Sequence, residues 1–377
     1  MIDYRFITYP YLKNFKCSAD KCVSTCCYGW NVRVDDKTLE AYKSLCNSFG
    51  DYLVGHISKN SSHICMNKDY CPFLDGEKMC KIQKEYGHDM LCEVCKTYPR
   101  AERYLINIQQ KYLVLSCPEV INLIKKANIF DKETEIVKIK GKETKQETLT
   151  LKLYDYFFEK LKYIYNKKAN LYKTMYVLLT FAYNADNYFK QKYTEKSIEE
   201  FNNKFNKKYF DSLYKDYKTK KDYDFIKSSQ LSVVKNSYDL KVANKNINNL
   251  FKFYLNFDFN NFNFKKSYKK AEKTLNKNLN LYNILFYVLN IEIFNIIKDK
   301  EFLSYLNTSF VYITLIQSLF YSSYLSDSLR AKNNSLIVAS DLHRFIYHSY
   351  NIDLIMSKYD NGNFCNKENL FKYLTSF

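Results

Sequence analysis

Apolar residues recur every three to four positions along much of this chain, and that spacing lays out its elements. After Asp35 or Asp36, either of which can cap, Leu39, Tyr42, Leu45, Phe49 and Leu53 predict a helix running to about His56. The same period predicts helices over Leu151–Asn166, Leu171–Tyr183, Leu281–Ile297, Phe310–Leu325 and Ser335–Ser349. Alternation from Trp30 to Val34 predicts a short strand. Tyr104 to Ser116 reads as two strands around a Gln109-Gln110-Lys111 turn, a hairpin that carries Cys117 back toward the other cysteines. Asn and Phe crowd residues 246–270, where alternating aromatic and polar positions fit ordinary structure, and no repeat of fixed period is present.

Breakers divide the chain unevenly. All four prolines, five of the seven glycines and eleven of the twelve cysteines lie within the first 118 residues. Proline and glycine punctuate loops, so the first part should be loop-rich and the second built of long helices. The expected fold is mainly α. A cysteine-rich, loop-rich domain with a small β-hairpin (1–125) precedes an irregular all-helical domain (126–377).

Composition narrows the class. At 377 residues, 46% hydrophobic and 26% charged, the chain can bury a sizeable core without a metal to hold it, and it is neither disordered nor a disulfide mini-scaffold. The most apolar helix, 281–297, is interrupted by Asn283, Asn290, Glu292 and Asn295, which suits a buried helix better than a membrane span. The first residues show neither a basic nor an apolar leader region, so a cytoplasmic chain is expected. The formal charge is +18, yet only sixteen basic and fourteen acidic side chains fall before residue 121, so nearly all the excess sits on the helical part. Such a body could steer nucleic acid or an acidic protein, or simply carry lysines on solvated helix faces; no nucleic-acid module accompanies the charge, which alone decides nothing.

The cysteines carry the chemistry. Cys17, Cys22, Cys26 and Cys27 form one cluster; Cys71, Cys80, Cys92 and Cys95 form a second, which Cys117 closes. Disulfides suit a reducing compartment poorly. Burial as small hydrophobes suits Cys46, Cys65 and Cys365, but not thiols set beside Gly and Pro turns. Such turns can aim sulfurs at one metal. Zinc prefers tight Cys-x2-4-Cys pairs, which Cys92–Cys95 and Cys22–Cys26 alone approach; wide spacings and a sulfur surplus suit an iron–sulfur cluster better. Adjacent Cys26 and Cys27 are not expected to bind one iron together. No His motif for hydrolytic zinc, Walker loop or G-x-S-x-G is present.

At these residues the chain resembles the flagellin lysine N-methylases. The resemblance rests on Phe15-Lys-Cys17, Cys22, Cys26-Cys27-Tyr-Gly29-Trp30, Cys71-Pro-Phe-Leu74, Cys80-Lys-Ile-Gln83, Cys95-Lys-Thr-Tyr-Pro-Arg100 and Leu115-Ser-Cys117-Pro-Glu119. A subset is also similar to small zinc- or iron-chelating cysteine-cluster domains. Residues 1–125 carry the likeness; in the helical part it is reduced to Arg344 and His348 on one helix, and Cys46, Cys65, Cys92 and Cys365 fall outside it.

The resemblance implies methyl transfer from S-adenosylmethionine to flagellin lysines, with a 4Fe–4S cluster on Cys17, Cys22, Cys26, Cys27, Cys71, Cys80, Cys95 and Cys117. Yet the chain has no Gly-rich cofactor loop and no C-x3-C-x2-C radical motif. Two arrangements stay open: three thiolates leaving an open iron for the cofactor, or four closing a structural cluster. Trp30 either shields the cluster or stacks on adenine, and Arg100 either reads the cofactor carboxylate or makes a structural ion pair. His348 is a general base or an ordinary histidine. No catalytic residue can be named. The expected partners are flagellin and an electron donor, with no membrane or nucleic acid. The competing readings are a metal-stapled adaptor and a redox module without methyltransferase activity.

Overall fold

A computed structural model describes residues 1–29, 32–68, 70–239, 245–257, 264–326, 331–347 and 364–377. It is mainly helical with one small sheet, as the sequence predicts. The sheet has four strands rather than two. Strand β1 (Ile2–Thr8) runs parallel to β3 (Ile108–Leu113), with Arg5 opposite Ile108. It runs antiparallel to β4 (Glu133–Ile139), with Arg5 opposite Ile136, and β2 (Arg100–Leu105) completes the order β2-β3-β1-β4.

The hairpin is present, but its turn lies elsewhere. Ile106, at φ +53°, and Asn107 make it, while Gln109, Gln110 and Lys111 belong to β3. Gln110 is tolerated there because its buried amide donates to the Tyr9 hydroxyl at 2.7 Å; Asn107 ties the turn to Asp3 O and Glu143. The helix expected from Asp35 to His56 is two helices, Asp36–Lys43 and Ser48–Gly55. Asn47 ends the first run by capping the second, its side chain accepting from Gly50 N at 2.9 Å. Cys46 therefore sits exposed in the break, not on an apolar face, and Cys65 is exposed too; Cys365 alone of the three is buried. Of the strand expected over Trp30–Val34, residues 30 and 31 lie outside the described residues, and Arg33 makes an isolated bridge with His63.

Five long helices match the periodicity and extend it: Lys145–Asn166, Leu171–Lys190, Leu281–Asp299, Phe302–Ser326 and Ala331–Tyr347. Among the described residues, Leu281–Asp299 is the one helix long and apolar enough to cross a membrane, and it is buried inside the protein. Its polar residues tie it to the sheet side. Asn283 donates to Ile124 O (2.8 Å), Asn290 to the Tyr9 hydroxyl (2.8 Å), and Glu292 receives both arms of Arg103 (2.8 and 2.9 Å). Asn283, the Asn290 amide and Glu292 thus have partners across the interior, which is what burial favours.

The apolar interior falls into two clusters. The larger joins the long helices to Ile7, Tyr9, Leu105, Ile108, Leu113 and the Pro118–Ile124 helix. The smaller comprises Val32, Val34, Tyr42, Leu53, Ile57, Ile64, Phe73, Ile82, Leu91 and Cys92. Cys92 belongs to the smaller cluster with Cys71, Cys80 and Cys95 packed against it, and Cys117 belongs to the larger.

Candidate metal centre

Local turns aim the cysteines. A turn at Ala19, with φ +48°, bends the first loop so that its amide donates to Cys17 Sγ at 3.4 Å, and Cys22 Sγ donates to Ser24 O at 3.2 Å. The amide of Cys27 donates to Thr25 Oγ1 at 3.2 Å, and the amide of Cys71 donates to Cys27 O at 2.9 Å, joining the two cysteine clusters through the backbone. Cys80, Cys92 and Cys117 each stand just before a short helix: Lys81–Tyr86, Glu93–Thr97 and Pro118–Ile124. Asp35 aligns the middle one. Its carboxylate caps Asp36–Lys43 through Thr38 N (3.0 Å) and also accepts from Glu93 N (2.9 Å), the residue after Cys92.

All eight cysteines named from the sequence, and Cys92 with them, line one cavity of about 480 Å³. Its remaining wall is apolar where Phe15, Phe73, Ile82 and Leu91 face it, and Arg100, Lys96, His88 and Glu119 add polar groups. The sulfurs surround a space and do not close on a point. Among the described residues, no three His, Cys, Asp or Glu side chains form a group ready to enclose an ion. None of the twelve cysteines forms a disulfide.

The thiols interact in sets. Cys26 donates to Cys27, which holds the Cys26 thiol well above the usual range; burial acts the same way. Cys27 is lowered by that bond but raised more by its own bond to Cys71 and by burial, to about 12. Cys71, at the receiving end, is lowered. Cys95 donates to Cys92, lowering Cys92 to about 7 and raising Cys95. Burial raises Cys22 and Cys80, and lifts Cys117 to about 12. A thiol-rich wall is the donor set of soft-metal and iron–sulfur chemistry, and nine sulfurs exceed the four that a tetrahedral zinc takes. The residues fit such a group in kind and number.

Comparison with known proteins adds a family. Over 128 residues, 31% of its length, the chain is 30% identical to the flagellar biosynthetic protein FliU of Salmonella muenchen, and the alignment takes in 76% of that protein. The chain belongs to the FliU family. Proteins named lysine-N-methylase from Salmonella choleraesuis and Salmonella typhimurium are each 33% identical over 128 residues. That stretch is 32% of their length, so the match spans about a third of each. No family model matches the chain, and no solved structure does.

In this FliU-family chain the remaining sequence candidates fare unequally. Arg100 stands exposed on the cavity rim with its guanidinium 5.2 Å from the centre of the Phe15 ring, and among the described residues no carboxylate pairs with it. Trp30 and His348 lie outside the described residues. Cys92, left outside the family motif, already carried a visible signal in its C-x2-C spacing with Cys95. The buried Asp341 and Arg344 of the Ala331–Tyr347 helix reach the cysteine loops; the family likeness had marked Arg344, whereas for Asp341 sequence offered no more than an opposite charge three residues away on an apolar helix.

Proposed function

We propose that this protein is a protein lysine N-methyltransferase that acts on flagellin, uses S-adenosylmethionine and holds an iron–sulfur cluster in the cysteine cavity. The observation that carries the reading is the gathering of nine thiols around one cavity, in a chain whose family includes proteins named lysine-N-methylase. Cys17, Cys22, Cys26, Cys27, Cys71, Cys80, Cys95 and Cys117 would hold the cluster, with Cys92 available as a ninth sulfur. Bound there, a cluster would supply a redox centre or an iron open to the amino and carboxylate groups of the methyl donor.

The chain's own residues account for the rest. Arg100 offers a planar fork suited to a carboxylate, and it is exposed at the rim with that fork unclaimed by any described carboxylate. The apolar side of the cavity excludes water, and desolvation lowers the pKa of an entering lysine amine from about 10.4 toward the neutral, nucleophilic form. Methyl transfer is then an in-line displacement. The amine lone pair forms the N–C bond, the C–S bond breaks, the sulfonium leaves as a neutral thioether and the nitrogen sheds a proton to solvent. Alignment of amine and methyl is the main contribution required of the protein.

The test joins analysis to activity. Protein purified without oxygen should be brown, contain iron and inorganic sulfide, and methylate lysines of co-expressed flagellin, read by mass spectrometry. Cys22→Ala or Cys80→Ala should abolish both iron and methylation while the protein stays folded. Colourless, zinc-bearing protein that leaves flagellin unmodified would overturn the reading in favour of a metal-stapled adaptor. Brown protein without methylation would leave a redox module.

A further inference from the structure

Arg344 and Asp341 are almost fully buried, 6% and 2% exposed, on a helix more than two hundred residues downstream of the last cavity cysteine. Besides pairing with each other, they make three hydrogen bonds to the cysteine loops. Arg344 Nη1 donates to Tyr28 O (3.2 Å), the residue after Cys27, and to Asp341 Oδ1 (3.3 Å). Arg344 Nη2 donates to Ser116 O (3.0 Å), the residue before Cys117. Asp341 Oδ1 accepts from Ser24 Oγ (2.9 Å), which lies between Cys22 and Cys26. The Ser116 hydroxyl in turn meets the Tyr98 hydroxyl at 3.1 Å, three residues past Cys95.

A buried ion pair is a poor way to gain stability, since desolvating two charges offsets most of their attraction and an apolar pair of the same size would pack as well. What the pair offers is direction. A guanidinium is planar and fixes two acceptors at a set spacing, which neither an apolar side chain nor a lysine can do. Here the two acceptors are backbone carbonyls of different cysteine loops.

We propose that Arg344 and Asp341 are positioning residues of the metal centre: their hydrogen bonds to Ser24, Tyr28 and Ser116 fix the Cys22–Cys27 loop and the Cys117 turn at the separation that a bound metal group requires. The helical body thereby sets the geometry of a centre to which it contributes no sulfur. This rests on the reading of the cavity as a metal site, though not on the identity of the metal.

The experiment compares metal release from the full-length protein as isolated, purified without oxygen and challenged with a chelator. Residues that orient metal ligands from behind typically cost 10–100-fold in affinity when lost. Arg344→Met should therefore release metal roughly 10–100-fold faster. Arg344→Lys, which keeps the charge but not the fork, should stay closer to Arg344→Met than to wild type. Phe189→Leu, a core change elsewhere in the body, serves as a control of matched thermal destabilisation and should release metal at the wild-type rate. Arg344→Met releasing metal no faster than that control would overturn the proposal. Should Arg344→Met fail to fold, Ser24→Ala decides by the same comparison. Zinc in place of iron–sulfur would refute the proposed function yet leave this comparison intact, and metal-free wild-type protein would refute both.

Discussion

Single residues divide the cysteines by place rather than by type. Cys92 faces the cavity and accepts a hydrogen bond from Cys95, whereas Cys46 and Cys65 stand exposed. Cys92→Ser should thus lower metal content measurably, and Cys46→Ser should leave it unchanged; equal effects in elemental analysis would argue against the cavity. Arg100 makes a sharper prediction. If it binds the methyl donor's carboxylate, Arg100→Gln forfeits a charged hydrogen bond of about 1.5–3 kcal/mol, seen as a raised KM for the donor with kcat little altered. Lys160 gives a pH signature unconnected with the site. Its ammonium is buried on the Lys145–Asn166 helix, donates to Asn202 Oδ1 at 2.8 Å, and burial pulls its pKa from 10.5 to about 8. Between those values the unfolded chain binds more protons than the folded one, so this group makes stability rise with pH. Denaturant melts from pH 8 to 10 should show that rise in wild type and a smaller slope in Lys160→Met.

Elements show where local pattern suffices and where it fails. The long helices are readable from their apolar residues, spaced at the helical period or, in the two most buried helices, nearly continuous and free of Pro and Gly, a property of each segment alone. The Thr144 capping box, with Glu147 answering it, starts one of them by a purely local device. The 36–56 segment keeps its apolar spacing through a break that Asn47 enforces, so periodicity alone ran two helices together. The hairpin turn was misplaced because Gln109-Gln110-Lys111 looks like a polar loop, whereas the buried Gln110 amide donates to Tyr9, a hundred residues away. Strand β4 was missed altogether: all seven of its residues are exposed, so it has no buried face to leave a mark. Asp35 is the element-level test. It caps one helix and holds the first residue of another, so Asp35→Ala should cost about 1–2 kcal/mol and loosen Cys92 and Cys95 together. Unchanged stability in denaturant titration would count against that double role.

The whole molecule joins two apolar clusters of very different size, with the cysteine cavity between them. Ten buried residues make up the smaller, and a core that small depends on whatever else ties its loops together. Removing metal with a chelator should expose protease sites between Phe15 and Tyr98, while the far-ultraviolet helical signal largely persists. Loss of that signal in step with the metal would mean that the two clusters unfold as one. Sequence by itself determined the helical body and the soft-ligand chemistry, because the first follows from spacing within each segment and the second from the kind of atom each residue carries. Tertiary structure alone decided that nine sulfurs from distant loops share one cavity, and that Arg344 reaches back across 316 residues to Tyr28. Those are matters of which distant loops are brought together, and that depends on the packing of the entire chain.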